Sequence, residues 1–290
     1  MRHFRVVFIF HYLDFMRKII VPSDFTPVSA VAIKYGCELA NATDSVVHLL
    51  HIVKSKGEEI AAKAKLDAQA HEFSISSGRP VHALVHVGNI FDDIPHVADK
   101  ENAEMIVMGT HGLQGMQFIV GSNALRIITE SKVPMIIIQA ATTRSANVSK
   151  LLVPLDLHRD TKQKLKIASE VALRFKSEVH LISPKETDEY LHNQLARNTS
   201  YAEGFLEEKG ISYKTVVTDA SSGSFVKELL KYARYAEIDL ICVLNSAEER
   251  LVHAFGMDSE QKIITNEAAI PVMIMNTAAL YRDASSVLAQ

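Results

Sequence analysis

Short runs of β-branched and aliphatic residues alternate along the chain with longer stretches in which apolar residues recur at helical spacing. In the first half, Lys18 to Pro22, Ser45 to Val53, Val81 to Val87, Met105 to Met108 and Met135 to Ile138 read as strands. Their apolar runs are nearly unbroken, which suits parallel strands covered on both faces. Between the first two, Val28, Ala32, Tyr35 and Leu39 share one helical face, and Pro27 is allowed in a first turn. The second half repeats the scheme, with Leu165, Ala168, Ala172 and Phe175 marking a helix between strands Leu151 to Pro154 and Glu178 to Ile182.

The repetition is legible residue by residue. Lys18-Ile-Ile-Val-Pro22-Ser-Asp24 returns as Lys150-Leu-Leu-Val-Pro154-Leu-Asp156, 132 positions later. Gly88 returns as Gly223, 135 later, and Val133-Pro134-Met-Ile-Ile-Ile138 as Ile270-Pro271-Val-Met-Ile-Met275, 137 later. Three matches in one order with a slowly growing offset indicate a duplication with small insertions. The reading is therefore α/β, with two doubly wound five-stranded parallel sheets. The expected division is a first domain over 16–140, a linker over 141–148, a second domain over 149–277 and a tail over 278–290.

Composition agrees with two ordinary domains. At 290 residues the chain exceeds one compact core. Apolar residues make up 48% and charged residues 22%, enough to bury two cores. A net charge of −3 provides no basic field, so nucleic acid and anionic membrane surfaces are not expected partners. Cys37 and Cys242 each sit in an apolar stretch without a metal-ligand neighbour and read as buried thiols in a reducing cytoplasm. The longest apolar run, Val6 to Phe10 within Phe4 to Phe15, is too short to span a bilayer. Met16-Arg-Lys-Ile-Ile-Val-Pro22 reads as an ordinary start of a first strand, so the chain is expected to begin at Met16, with residues 1–15 either an upstream misread or a loosely attached extension.

In open α/β sheets ligands bind beyond the carboxyl ends of the strands. Those ends carry Ser23-Asp24, Ile52-Val53, Gly88-Asn89 and Gly109-Thr-His-Gly112. The last group opens a glycine-bearing loop running to Gly121-Ser122-Asn123 ahead of the helical run Ala124 to Thr129. Glycines let backbone N–H groups close on an anion, and a Gly-Ser-Asn helix entry adds amides, a hydroxyl and the positive end of a helix dipole. Each glycine alone is as well explained by a turn, and Asp24 alone by a helix cap. No Gly-x4-Gly-Lys-Ser/Thr loop and no serine or cysteine nucleophile motif is present. His48, His51, His82 and His86 lie on two strands without an Asp or Cys at ligand spacing, so core or solvated histidines are expected and no metal site.

The Val-Pro-Ser-Asp-Phe-Thr strand end, Leu-Leu-His-Ile-Val, and Ile-Val-Met-Gly-Thr-His-Gly leading to Gly-Ser-Asn together resemble the universal stress protein family. The resemblance extends over both halves, from about Met16 to Met275, and looks like a tandem member. It implies the adenine nucleotide alpha hydrolase-like fold in each half, packed as an intramolecular pseudo-dimer with the strands after Pro134 and Pro271 at the contact. In ATP-binding members the loop follows Gly-x2-Gly-x9-Gly-Ser/Thr; here Gly109 and Gly112 match, and Leu113 to Val120 supply eight residues before Gly121. Carried over, the resemblance implies that Asp24 and Ile52 flank an adenosine, with Pro22, Ser23 and His111 in the same loops. Met108, Gly109 and Gly112 then approach ribose and phosphates, and Gly121, Ser122 and Asn123 hold the phosphates.

The second half has Asn245-Ser-Ala-Glu248-Glu249 where the first has Gly-Thr-His-Gly, and the loss of both glycines with the gain of negative charge argues against a phosphate site there. The expected function is a stress-response sensor or regulator that binds ATP, or ADP or AMP, in the first half, with magnesium accompanying ATP, and acts through an unidentified protein partner. Catalytic residues are not identified. The alternatives are a nucleotide-free interaction scaffold and, ranked last, a slow hydrolase or transferase. Further self-association is compatible with the sequence.

Overall fold

The structure, a computed structural model, describes residues 17–110, 127–155, 157, 161–245 and 262–276. The first half runs β1 (Lys18–Pro22), α1 (Pro27–Thr43), β2 (Val46–Val53), α2 (Glu59–Ser77), β3 (Val81–Val87), α3 (Ile90–Lys100), β4 (Ala103–Thr110) and β5 (Met135–Gln139). The second runs β6 (Lys150–Pro154), α4 (Thr161–Phe175), β7 (Glu178–Ser183), α5 (Glu189–Glu208), β8 (Tyr213–Val217), α6 (Phe225–Tyr235), β9 (Leu240–Asn245) and β10 (Val272–Asn276).

Local chemistry explains the starts and stops. Thr26 caps α1, its hydroxyl oxygen accepting from the Ser29 N–H, and Pro27 opens the helix where its missing N–H costs nothing. The helix stops at Asp44, which is left-handed at φ 53°. Gly78 closes α2 at φ 70°, a conformation glycine adopts without a Cβ penalty. In β1 the successive residues Ile19, Ile20 and Val21 are all buried, yet Ile19 and Val21 enter one core and Ile20 the other. This is why the strand reads as an unbroken apolar run.

The strand order is β3-β2-β1-β4-β5-β10-β9-β6-β7-β8, a single sheet of ten strands. The expectation of two sheets is corrected here: each half does contribute five parallel strands, but β5 and β10 pair antiparallel and fuse them. The physical reason is the edge. Without each other, β5 and β10 would both present a row of unpaired backbone donors and acceptors. These are the strands expected at the contact, and their register is informative. Ile136 pairs with Met273, its own counterpart 137 positions on. The pseudo-twofold axis therefore passes through that pair.

Two hydrophobic clusters, one on each face, run through both halves. One takes α1, α2, α4 and α5; the other takes α3, α6 and the helical residues at 127–130. Side chains tie the halves at the seam: Gln139 Nε2 donates to Asn266 O at 3.0 Å, and Thr142 Oγ1 to Ala269 O at 2.9 Å. Segment 141–148 is held from both sides, because Arg144 Nε donates to Ile238 O at 2.7 Å and Ala146 N to Glu38 Oε2 at 3.0 Å. Cys37 and Cys242 are buried free thiols, and burial pushes them up to about 11 and about 12 respectively. Among the described residues no helix is long and apolar enough to cross a membrane.

Since the core is continuous across the seam, a charge placed in β5 should unfold both halves together. Ile137→Asp buries an unpaired carboxylate and should cost about 4 kcal/mol or more. Urea denaturation followed by fluorescence and circular dichroism should show one transition moved to lower urea. Loss of one half with the other unmoved would contradict the shared core.

Candidate functional site

Strand β1 lies between β2 and β4, and the chain leaves it through α1 on one face and returns to β4 through α3 on the other. The carboxyl ends of β1 and β4 therefore part at the topological switch point of the first half. Six of the sequence-predicted residues stand at or beside it: Pro22 at the end of β1, Ser23 and Asp24 just after it, Ile52 at the end of β2, and Met108 and Gly109 in β4. His111, Gly112, Gly121, Ser122 and Asn123, the predicted phosphate end, lie outside the described residues.

The polar groups after β1 divide between the fold and the crevice. Ser23 is buried, and its hydroxyl donates to Gln69 Oε1 on α2 at 2.7 Å while accepting from Phe25 N at 3.3 Å. Its carbonyl lies 2.7 Å from His51 Nδ1, and because a carbonyl only accepts, that nitrogen carries the proton. Asp24 faces solvent, and its Oδ1 accepts from Thr26 N at 3.1 Å and from Thr26 Oγ1 at 2.5 Å. Partial burial pushes its carboxyl upward, but hydrogen bonds from Thr26 and Ser29 outweigh that and hold it below 3.8. It is an anion at neutral pH.

Between them Phe25 takes φ 64°, an unfavourable setting for a bulky side chain. Its ring sits 4.6 Å from His51, with Lys65 Nζ 4.0 Å above it. The aromatic ring is thereby turned into the α2 side, and the carboxylate before it is left outward.

The β4 side is tight. A Cβ on Gly109 would come 2.8 Å from Val28 O and 3.1 Å from Val28 C in the first turn of α1. Only a glycine lets β4 approach the helix so closely. Met108 sends its side chain into the core shared with α3, which leaves its backbone as the part toward the crevice. Thr110 follows, fully buried, with its hydroxyl unpartnered among the described residues. In the Gly-Thr-His-Gly motif only the glycines carry a spacing signal, so nothing in the sequence marks this threonine. Ile52 is half-buried against the same core.

The second half is built differently at the equivalent place. Leu155, fully buried, stands where Ser23 does, and Lys164 stands where Ala32 does, each 132 positions on. The Lys164 ammonium is buried and donates to Pro154 O at 2.8 Å, so a cation of the chain itself occupies the carboxyl end of β6. Asp156 and residues 246–261 lie outside the described residues.

The strand histidines form no metal group among the described residues. His48 and His82 are neighbouring rings 5.1 Å apart, His51 serves Ser23, and His86 Nε2 lies 3.4 Å from Asp93 Oδ1. Gly88 makes room for that carboxylate, since a Cβ there would collide with Asp93 Oδ2.

Residues 16–139 match the model of the universal stress protein family. Over that range the first half is similar to a universal stress protein domain. A universal stress protein of Methanocaldococcus jannaschii is 26% identical over 145 residues, covering 42% of this chain and 82% of the relative. Universal stress protein G of Shigella flexneri is 22% identical over 142 residues, covering 42% of this chain and 99% of the relative. Among solved structures, a universal stress protein from Archaeoglobus fulgidus DSM 4304 aligns over 89% of this chain and 98% of its own, with TM-score 0.71 at 16% identity. A functionally unknown protein from Pseudomonas aeruginosa PAO1 aligns over 96% of this chain and 99% of its own, with TM-score 0.65 at 16% identity. The universal stress protein fold thus accounts for both halves, while the match to the family model falls on the first.

Two outcomes follow from this geometry. Gly109→Ala must push β4 from α1 and should lower stability by about 1 to 3 kcal/mol in thermal or urea unfolding; an unchanged midpoint would mean that the contact with Val28 is not tight. Burial, the neighbouring His82 and Lys18 push His48 down to about 4. Between its ordinary 6.5 and 4 the unfolded chain binds the extra proton, so stability should fall with pH across that window. The loss should reach up to about 3 kcal/mol at the acid end and be smaller in His48→Phe, as measured by urea midpoints at each pH.

Proposed function

We propose that the first half binds one adenine nucleotide, ATP or its ADP and AMP relatives, across the carboxyl ends of β1, β2 and β4. The observation that supports this reading is the outward, anionic Asp24 at the point where β1 and β4 part, with Gly109 near the end of β4 opening the glycine-bearing sequence. A carboxylate there accepts from the donors of a nucleoside, and one residue beyond Gly109 the buried Thr110 hydroxyl has no partner among the described residues. Met108 and Gly109 then offer backbone toward ribose and phosphates, Ile52 and Pro22 offer apolar surface, and Ser23 holds the turn. His111, Gly112, Gly121, Ser122 and Asn123 are assigned to the phosphates by their sequence pattern. Among the described residues no group of His, Cys, Asp or Glu could hold a metal ion, so magnesium would arrive with the phosphates.

The nucleotide would act as a signal. His51 is the histidine on β2 nearest the crevice, and its Nδ1 is committed to Ser23 O. A bound nucleotide biases the Gly109 to Asn123 segment only through unequal affinity for its two states, and a cytoplasmic protein partner would read the difference. One observation favours the rival reading of a nucleotide-free interaction protein. Gly109 and Ser23 each have a full structural explanation, in Val28 and Gln69 respectively.

Mass spectrometry of small molecules released from denatured, freshly purified chain separates the two readings. The expected result is an adenine nucleotide at about one per chain, since the second half holds Lys164 at its own strand end. In calorimetry, Gly121→Asp should abolish binding by placing a Cβ and a negative charge against an anion, while Gly256→Asp should leave affinity unchanged. Ser122→Ala should weaken it by about 0.5 to 1.5 kcal/mol. Two nucleotides per chain, or wild-type affinity in a folded Gly121→Asp, would overturn the assignment.

A further inference from the structure

The seam that joins the two halves leaves a gap on one side of the sheet. Helices α1 and α4 lie on the same face, while the helical residues at 127–130, between β4 and β5, lie on the other. On the α1 and α4 face, β5 and β10 therefore have no crossover helix of their own among the described residues. A cavity of about 690 Å³ lies there, with Ile136 and Met273 of the paired central strands in its floor, Leu39 of α1 on one side and Val171 of α4 on the other. That volume suits a small molecule, and the lining is mainly aliphatic. It lies at the amino ends of β1 and β4, away from the crevice assigned to nucleotide.

The mouth is charged, and its charges come from both halves. Arg17 Nη1 at 3.2 Å and Arg174 Nη1 at 2.8 Å both end on one oxygen, Glu104 Oε1. Two guanidiniums bring ten N–H donors to a single carboxylate oxygen, so most of their donor capacity is left over and the trio carries one net positive charge. A cationic head group would have to compete with both arginines for Glu104. Glu170 also lines the mouth, exposed like Arg17, so the four charges balance and it is the unused guanidinium donors, not a net charge, that suit an anionic head. Leu173, 52% exposed, extends the apolar lining to the rim.

We propose that this cavity binds an anionic single-chain amphiphile, a long-chain carboxylate, with its tail along the β5–β10 seam and its head on Arg17 and Arg174. The full chain would be titrated with a fluorescent polyene fatty acid below its micellar concentration, and the probe displaced with hexadecanoate, hexadecanol or hexadecyltrimethylammonium. The expected result is saturable binding at one per chain, with the carboxylate displacing about tenfold better than the alcohol or the ammonium. Arg174→Gln should remove that preference and leave the affinity for the alcohol unchanged. Met273→Trp should fill the floor and abolish binding; Val171→Trp, on the more tolerant helix wall, should do the same if the first variant does not fold. Nucleotide affinity should be the same with and without the carboxylate, so failure of one site is separable from failure of the other. Absence of saturable binding would show that residues 1–15, a second copy or nothing at all covers the cavity, and would overturn the proposal. Equal displacement by all three head groups, or full binding by a folded Val171→Trp, would overturn it as well.

Discussion

The antiparallel pairing of β5 with β10 is the constraint on which the rest of the molecule depends. Without it, each half would be a five-stranded sheet with an exposed, fully apolar edge, and each face cluster would be cut in two. Such an edge is a template for uncontrolled association. Pairing it internally converts that liability into a seam, which the side chains of Gln139 and Thr142 then fasten by bonding to backbone carbonyls of the other half. The seam in turn fixes where α1 and α4 stand relative to each other, and hence both the cavity between them and the outward orientation of the two strand-end crevices.

Strain and close approach concentrate at one of those crevices. Phe25 is held in a left-handed setting, Gly109 is pressed on the first turn of α1, and Thr110 is buried with a hydroxyl that has no partner among the described residues, all within a few residues of the switch point. Local cost of this kind persists where surrounding packing over-determines it. Here the packing comes from the His51 and Lys65 contacts with the Phe25 ring and from the Val28 carbonyl against β4. In the second half the same location is occupied by Leu155 and the buried Lys164. The two halves share a backbone plan and differ in what they place at its functional end.

Much of the plan was legible in the sequence because it is written in hydrophobic periodicity. Ile19, Ile20 and Val21 announce a strand buried on both faces, and the repeated Pro134 and Pro271 announce the paired central strands. Helix α2 left little signal, because of its nineteen residues only Leu66 and Ala70 are buried. Fusion into one sheet was not legible either, since edge pairing is made by backbone groups that every sequence carries. At the strand ends, the linear pattern marks Ser23 and Gly109 but not their partners: Gln69 and Val28 reach them from other elements, and nothing in a linear pattern marks that convergence. Lys164 reads in sequence as one more helix lysine, and only the fold turns it inward.

The register at the seam also bears on how the halves can diverge. In a dimer of identical chains, a residue on the twofold axis meets its own copy, so every change there occurs twice and must fit itself. In this chain the axis passes between Ile136 and Met273, which are different residues encoded separately. Neither is bound by self-complementarity, and their association is intramolecular, so it does not weaken on dilution. Covalent linkage thus frees each half from having to resemble the other: one strand end can keep a glycine approach while its counterpart is closed by a lysine, and the pair always remains one of each.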